Sequence, residues 1–285
     1  MMSNFPEKVY LNGQILPSEK AQISVFDRGF IFGDGIYEAM AQINGVFFYE
    51  EAHLNRLADG LSKINIRYDV GQIPMEINRL LAATDLVGKD CFLYIQISRG
   101  VAPRQHAFPK DIAPTVFMYA LPKILQDINT LHAKVIARED FRWSRCDIKM
   151  TSLLGNVMLN EEAMQHECYE TVLYRNGLVT EASHCNVFFV KDRVVYTHPA
   201  NEFILNGISR LVVIELCQEL GLELREEAVP IDKIREMDEA FLTGTSTQIA
   251  SIQQIDDYCY YKNDAIGPVT KMLQEAFYQL KSLKK

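Results

Sequence analysis

The sequence predicts an α+β protein built as two domains. Three observations carry that expectation: Asn-Gly dipeptides set between β-prone runs, a pair of amphipathic helical patterns, and a change of pattern beyond a proline-bearing segment at 122–129. Asn12-Gly13 in VYLNGQIL, Asn44-Gly45 in AQINGVFF and Asn176-Gly177 in VLYRNGLVT each mark a hairpin, because a type I′ turn needs two residues that tolerate positive φ. Leu54, Leu57, Leu61 and Ile64 recur at helical spacing, as do Ile77, Leu80 and Leu81, so helices are expected over 51–66 and 72–84. FLYIQIS at 92–98 and TVFMYALP at 115–122 read as strands, and Pro122–Asn129 as the linker between domains 1–121 and 130–285. Beyond it come a strand in AKVIARE, a helix at Asn156–Glu167, and antiparallel strands in TVLYRN and NVFFVKDRVVYTH. NGISRLVVIELCQELG then reads as a turn feeding a helix that stops at Gly221, a suitable C′ glycine, with one further strand and a last helix after it.

Composition narrows the function. The 285 residues carry 29 Lys+Arg against 37 Asp+Glu, a net charge of −8, whereas a polyanion binder needs a concentrated basic surface. No nucleic-acid partner is therefore expected. No run of about 18 apolar residues is present to span a bilayer. The opening Met-Met-Ser-Asn-Phe-Pro-Glu-Lys lacks the apolar core of a secretory signal, so the expected location is the cytoplasm. Cys91, Cys146, Cys168, Cys185, Cys217 and Cys259 are scattered, without a Cys-x-x-Cys pair or a histidine at metal-ligand spacing, so reduced thiols and no metal site are expected.

Several segments could carry chemistry. A small-residue turn leading into a helix presents unpaired N–H groups at the positive end of the helix dipole, which suits a phosphate. Asn206-Gly207-Ile208-Ser209 is such a turn, and Gly244-Thr245-Ser246-Thr247 is a hydroxyl-rich second one; ordinary caps and turns have the same composition. Lys149 borders the apolar, hydroxyl-bearing stretch Met150–Leu154, where a desolvated amine could form a Schiff base, although most lysines are simply solvated. Glu181 sets a carboxylate at a strand end, or is an edge-strand charge. Arg104 and His106 lie two residues apart in a loop with Pro103 and Pro109 nearby, and could converge on a carboxylate. Arg56 lies off the leucine stripe, so periodicity alone makes it a solvated helix arginine. The run 27–38 packs three glycines among aromatics, with Tyr37 as its polar handle. Together these supply a Schiff-base lysine, two phosphate turns, an acid and a carboxylate trap, the parts of a pyridoxal-phosphate enzyme acting on amino acids.

Six ordered blocks make a resemblance specific: DRGFIFGDGIYE at 27–38, RGVAPRQHAFP at 99–109, RWSRCDIKMTSLLGNV at 142–157, GLVTEASHCNVFFVKD at 177–192, YTHPANEFILNGISR at 196–210 and FLTGTSTQI at 241–249. The chain resembles the class IV, fold-type IV pyridoxal-phosphate aminotransferases, and within them the D-amino acid branch. The resemblance implies a small N-terminal α/β domain and a larger, β-barrel-like C-terminal α/β domain. It further implies that Lys149 forms the Schiff base with pyridoxal 5′-phosphate and that Glu181 keeps the pyridine nitrogen protonated. Arg56, Ile208, Ser209 and Thr245 would hold the phosphate, and Leu205 would pack against the ring. Tyr37, Arg104 and His106 match the family's trap for the substrate carboxylate, with the Arg and His supplied by the partner subunit of a homodimer. The implied reaction is ping-pong transfer of an amino group between a D-amino acid such as D-alanine and a 2-oxo acid such as 2-oxoglutarate.

The same fold carries branched-chain L-aminotransferases, (R)-amine transaminases and aminodeoxychorismate lyases. The Arg-x-His pair is not expected in the branched-chain group, and it argues mildly against amines lacking a carboxylate. The chain departs from the family pattern at Glu181-Ala182-Ser183-His184-Cys185, where relatives carry Glu-Gly and a run of serines, and at Met150, where a small serine is common. His184 is therefore expected to adjust substrate choice rather than to bind the cofactor.

Overall fold

The computed structural model describes residues 5–283. The chain forms two compact units, one running to Ile124 and taking in Ile148–Ser152, the other made of Leu125–Asp147 and Leu153–Leu283.

The first unit contains strands β1 (Lys8–Leu11) and β2 (Gln14–Pro17), helix α1 (Arg28–Phe32), strands β3 (Gly35–Ile43) and β4 (Val46–Phe47), helices α2 (Glu50–Lys63) and α3 (Ile73–Ala83), and strands β5 (Cys91–Ser98) and β6 (Thr115–Pro122). The six strands form one sheet in the order β2-β1-β6-β5-β3-β4. Its long antiparallel core pairs Gly35 with Ser98 and Cys91 with Pro122 at its limits. One face is covered by α2 and α3, whose Leu57, Leu61, Ile77, Leu80 and Leu81 pack with Ile36, Met40, Leu93, Ile95 and Ile97. Gly60 on α2 permits a close approach to β3, since a Cβ there would stand 3.2 Å from Ile36 Cγ2.

The second unit contains β7 (His132–Glu139), α4 (Leu154–Gln165), β8 (Glu170–Arg175), β9 (Leu178–Ala182), β10 (Asn186–Lys191), β11 (Val194–Thr197), α5 (Ile208–Glu219), β12 (Leu224–Arg225), β13 (Glu239–Gly244), β14 (Gln248–Ile255), β15 (Tyr258–Cys259) and α6 (Pro268–Leu283). Nine strands run in the order β12-β11-β10-β13-β14-β7-β8-β9, with β15 beside β14. β10 and β13 are buried on both faces, and Phe188 stacks on Phe241 with ring centroids 4.9 Å apart.

The mixed α+β layout follows the sequence expectation. All three Asn-Gly pairs have positive φ at both residues and close two-residue hairpins, joining Leu11 to Gln14, Ile43 to Val46 and Arg175 to Leu178. Gly221 stands at φ +64° just beyond α5. Other details differ. The five-residue α1 went unseen because its apolar run has no helical stripe; Asp27 caps it by accepting from Gly29 N–H, and Gly33 ends it at φ +64°. At 122–129, Pro122 ends β6 and Ile128 is buried in a 3₁₀ turn, so the proline-bearing stretch is anchored at both ends.

Candidate active site

Period-two alternation in β3 places Glu38 on the same face as Ile36 and Met40, so a carboxylate is driven wholly out of water. It survives there because α2 brings two partners to it. Arg56 donates from Nε to Oε2 at 2.9 Å and from an Nη to Oε1 at 2.7 Å, and His53 Nδ1 lies 3.0 Å from Oε1. Burial alone would raise the Glu38 pKa, but the Arg56 charge and the hydrogen bonds from His53 and Arg56 hold it well below the usual carboxylate range. Burial pushes His53 the other way, below its ordinary value, and a carboxylate oxygen facing its Nδ1 favours the tautomer with the proton on that nitrogen. Arg56 is thus not the solvated arginine that periodicity suggests; its side chain is 13% exposed and engages Glu38 through two donors.

The opposite face of β3 carries Tyr37. Its backbone N–H donates to the Lys149 carbonyl at 3.0 Å, and the Lys149 ammonium lies 4.2 Å from the Tyr37 ring centroid. Thr151 N–H bonds the Gly35 carbonyl, and Met150 bridges to Ile36, so the lysine segment is tied to β3 at Lys149 and over the two residues after it. Tyr37 also stacks on Tyr94 at 5.6 Å. Arg104 and His106 lie elsewhere, exposed on one loop, with the Arg104 guanidinium 5.4 Å and the His106 ring 5.8 Å from Phe32. The loop's base is fixed by Arg28, which bonds the Gln105 carbonyl, and by Gly100 at φ +106°.

In the second unit Glu181 is the last residue but one of β9, buried, with both carboxylate oxygens engaged. Arg142 Nη1 donates to Oε1 at 2.9 Å, while Leu205 N–H and Asn186 Nδ2 donate to Oε2 at 3.0 and 3.2 Å. Asp140, also buried, grips Arg142 by Nε and Nη2 at 3.0 and 3.1 Å. Burial pushes the Glu181 carboxyl from an ordinary 4.5 up to about 7, against the pull of the Arg142 charge and the Leu205 N–H.

Asn186 joins the expected turns to this carboxylate. Its Nδ2 also bonds the Leu205 carbonyl at 2.8 Å, and a Cβ on Gly207 would stand 2.2 Å from its Oδ1, so glycine is required there. It lies opposite Thr243 in the β10–β13 register, one residue before the Gly244–Thr247 turn. Helix α5 starts at Ile208 with Gly207 as its cap and no side chain capping its N–H groups. Ser209 is buried and Thr245 half-buried.

His184 and Cys185 follow in a tight turn. The His184 ring contacts Glu170, and Cys185 Sγ lies 3.2 Å from Thr247 Oγ1. Sequence reasoning did not single out Glu38, His53, Asp140, Arg142 or Asn186. For Glu38 a signal existed, an acid in register with Ile36 and Met40; Asp140 and Arg142 join Glu181 only through tertiary contacts.

The class IV aminotransferase family model matches residues 35–255, and the chain belongs to that family. Among curated proteins, it is 36% identical to a D-alanine aminotransferase of Bacillus licheniformis over 94% of this chain and 95% of that one. It is likewise 36% identical to a D-alanine aminotransferase of Staphylococcus aureus over 95% and 96%. Among solved structures, the branched-chain amino acid aminotransferase of Escherichia coli superposes with a TM-score of 0.86 at 23% identity, covering 97% of this chain and 94% of that one. That of Thermobaculum terrenum in its PLP form gives 0.84 at 24% identity, covering 98% and 95%. These structures share the fold-type IV architecture.

Proposed function

We propose that the protein transfers the amino group of a D-amino acid, with D-alanine as the model donor, to a 2-oxo acid such as 2-oxoglutarate, using pyridoxal 5′-phosphate bound through Lys149. The observation that carries this is the pairing of exposed Arg104 and His106 on Phe32, two groups suited to a carboxylate and held on a fixed loop. The names of the curated relatives support the same substrate class.

The residues fit the cofactor. The uncapped N-terminus of α5 suits a phosphate, and a buried carboxylate backed by Arg142 suits a pyridine nitrogen. When bound, pyridoxal phosphate supplies an electron sink for negative charge at the substrate α-carbon. Glu181, kept in place by Arg142, Asn186 and Leu205 N–H, would hold the ring nitrogen protonated. Arg56, oriented by Glu38, would join Ile208, Ser209 and Thr245 in holding the phosphate, and Leu205 would pack against the ring. Lys149 Nζ takes the α-proton as base and returns it as acid, and the Tyr37 ring 4.2 Å away restricts its swing. Because Lys149 works from one face, the side on which Tyr37, Arg104 and His106 hold the carboxylate sets which enantiomer reacts.

The assembly proposed is a homodimer in which Arg104 and His106 serve the partner's site. Exposed Phe26, Phe30 and Val101 around that loop, and the exposed Leu154, Val157 and Met158 stripe of α4, support a subunit contact. The working domains are 1–121 and 130–285, joined by 122–129. Among the described residues no helix is long and apolar enough to cross a membrane. All six cysteines are free thiols, which supports the cytoplasm as the location.

The test is an absorbance spectrum of the purified protein, followed after adding D-alanine or L-leucine without any 2-oxo acid. The aldehyde-form band bleaches with D-alanine alone if the proposal holds. Bleaching by L-leucine alone moves the protein to the branched-chain group, and a coloured protein unmoved by either brings forward a lyase or amine transaminase.

A further inference from the structure

Outside the groups assigned to cofactor and substrate, one cluster combines three different metal-ligating side chains. Glu170 opens β8, and the turn after β9 carries His184 and Cys185; one ligand atom from each lies within 4.8 Å of the other two. Carboxylate, imidazole and thiolate together are a zinc-type donor set, in which tetrahedral ligand atoms stand about 3.5 Å apart. The half-exposed His184 ring contacts Glu170 directly, so holding an ion requires that ring to swing off the carboxylate.

The surroundings hold the other two ligands in place. Glu170 Oε1 accepts from Thr171 N–H at 2.7 Å, Ser183 N–H at 3.1 Å and the Ser183 hydroxyl, which leaves Oε2 turned toward the His184 backbone N–H at 3.2 Å and the His184 ring. Cys185 Sγ is buried against Gly244, where a Cβ would stand 3.2 Å from it. Thr247 Oγ1 lies 3.2 Å from the sulfur and 2.8 Å from the Tyr169 hydroxyl, an outer hydrogen-bond layer of the kind that orients metal ligands. Glu170 is fully buried while the His184 side chain is 48% exposed, so one side of the cluster opens to water. That opening supplies both a route for an ion and a fourth, aquo ligand.

We propose that Glu170, His184 and Cys185 bind one zinc-type divalent transition-metal ion, with water completing the tetrahedron. On binding, the Cys185 thiol and the His184 imidazolium, which Glu170 favours, each lose a proton to solvent, and the 2+ charge of the ion offsets the carboxylate and the new thiolate. The sequence expectation of no metal site rested on spacing. Here thirteen residues lie between Glu170 and His184, and the β8–β9 pairing closes the gap.

The experiment is a titration of the full chain, freed of metal with a chelator, with Co²⁺ alone. It is read through the long-wavelength d–d bands, clear of cofactor absorbance, and followed by displacement with Zn²⁺ and a metal count after dialysis. Cys259, exposed, is replaced by serine throughout to remove a competing thiol. The expected result is one equivalent of tetrahedral Co²⁺ with a thiolate charge-transfer signature, weakened at least about tenfold in both His184→Ser and Cys185→Ser. Each variant is compared at unchanged thermal midpoint. His184 is half exposed, so its variant keeps the test alive if Cys185→Ser misfolds. No uptake by the parent protein, uptake without a thiolate signature, or equal affinity in a folded His184→Ser variant overturns the proposal. None of these outcomes depends on transamination.

Discussion

Arg142 donates to Glu181 across 2.9 Å while Asp140 holds its other two donor nitrogens, so a carboxylate at the end of β9 owes its position to a side chain 39 residues upstream. Neither partner is free to move: the Arg142 side chain is 6% exposed and Glu181 accepts from two further donors. A planar fork engaging two acids is what lysine cannot reproduce.

Removing that fork exposes its worth. Arg142→Met leaves Glu181 without its countercharge, and breaking a buried pair from one side costs about 3–5 kcal/mol. Urea unfolding at neutral pH should show a loss in that range, and Arg142→Lys should recover only part of it. A loss under about 1 kcal/mol would mean that Leu205 N–H and Asn186 suffice.

The raised Glu181 pKa sets the sign of a pH effect. In the cofactor-free protein the folded state keeps this proton up to about 7, whereas the unfolded chain releases it near the ordinary 4.5. Stability from this group is therefore full below 4.5 and is lost as pH rises through 7, a change of about 3 kcal/mol. Glu181→Gln cannot titrate, so the difference between wild type and variant should shrink across that window in denaturant titrations. Parallel pH profiles would contradict the assignment.

Lys149→Gln should fold, since the lysine backbone bonds to β3 do not need the side chain, yet lose the aldehyde-form colour. Its transamination rate should drop by about 10³-fold or more, as expected when a proton-transferring group is removed. Spectra and single-turnover rates check both. Retained colour with retained rate would place the Schiff base on another lysine.

Arg104→Leu and His106→Ala test the proposed carboxylate trap. Each should raise KM for D-alanine by about 10–100-fold, the cost of a charge-assisted hydrogen bond, with a smaller change in kcat. An amine lacking a carboxylate should be nearly indifferent to both changes. If the amine suffers equally, the loop shapes the site rather than reading the carboxylate.

Gly100 anchors that loop at φ +106°, and a Cβ there would stand 2.0 Å from the Ala113 carbonyl oxygen. Gly100→Ala should destabilise the protein by about 2–4 kcal/mol or displace the loop with a matching rise in KM. A variant with wild-type thermal midpoint and wild-type KM would show that the strand end relaxes freely.

Much of the fold was legible because short-range rules decided it. Asn12-Gly13, Asn44-Gly45 and Asn176-Gly177 turn the chain through their own tolerance of positive φ, and the leucine stripe of α2 needs only its own periodicity. The sequence by itself also determined which chemical groups are available: Lys149, Glu181, the α5 turn and the Arg104–His106 loop. Which neighbours give those groups their properties was decided by tertiary structure. Glu38 becomes tolerable in a core only where α2 delivers Arg56 and His53, and Glu181 meets Arg142 and Asn186 only once β9, β10 and the segment before Lys149 are folded. β7 pairs in parallel with β14, setting His132 beside Ser251, a register that no local pattern encodes. The physical reason is range: backbone sterics and hydrophobic period act over a few residues, whereas burial and charge pairing depend on which distant segments the closed sheets bring together.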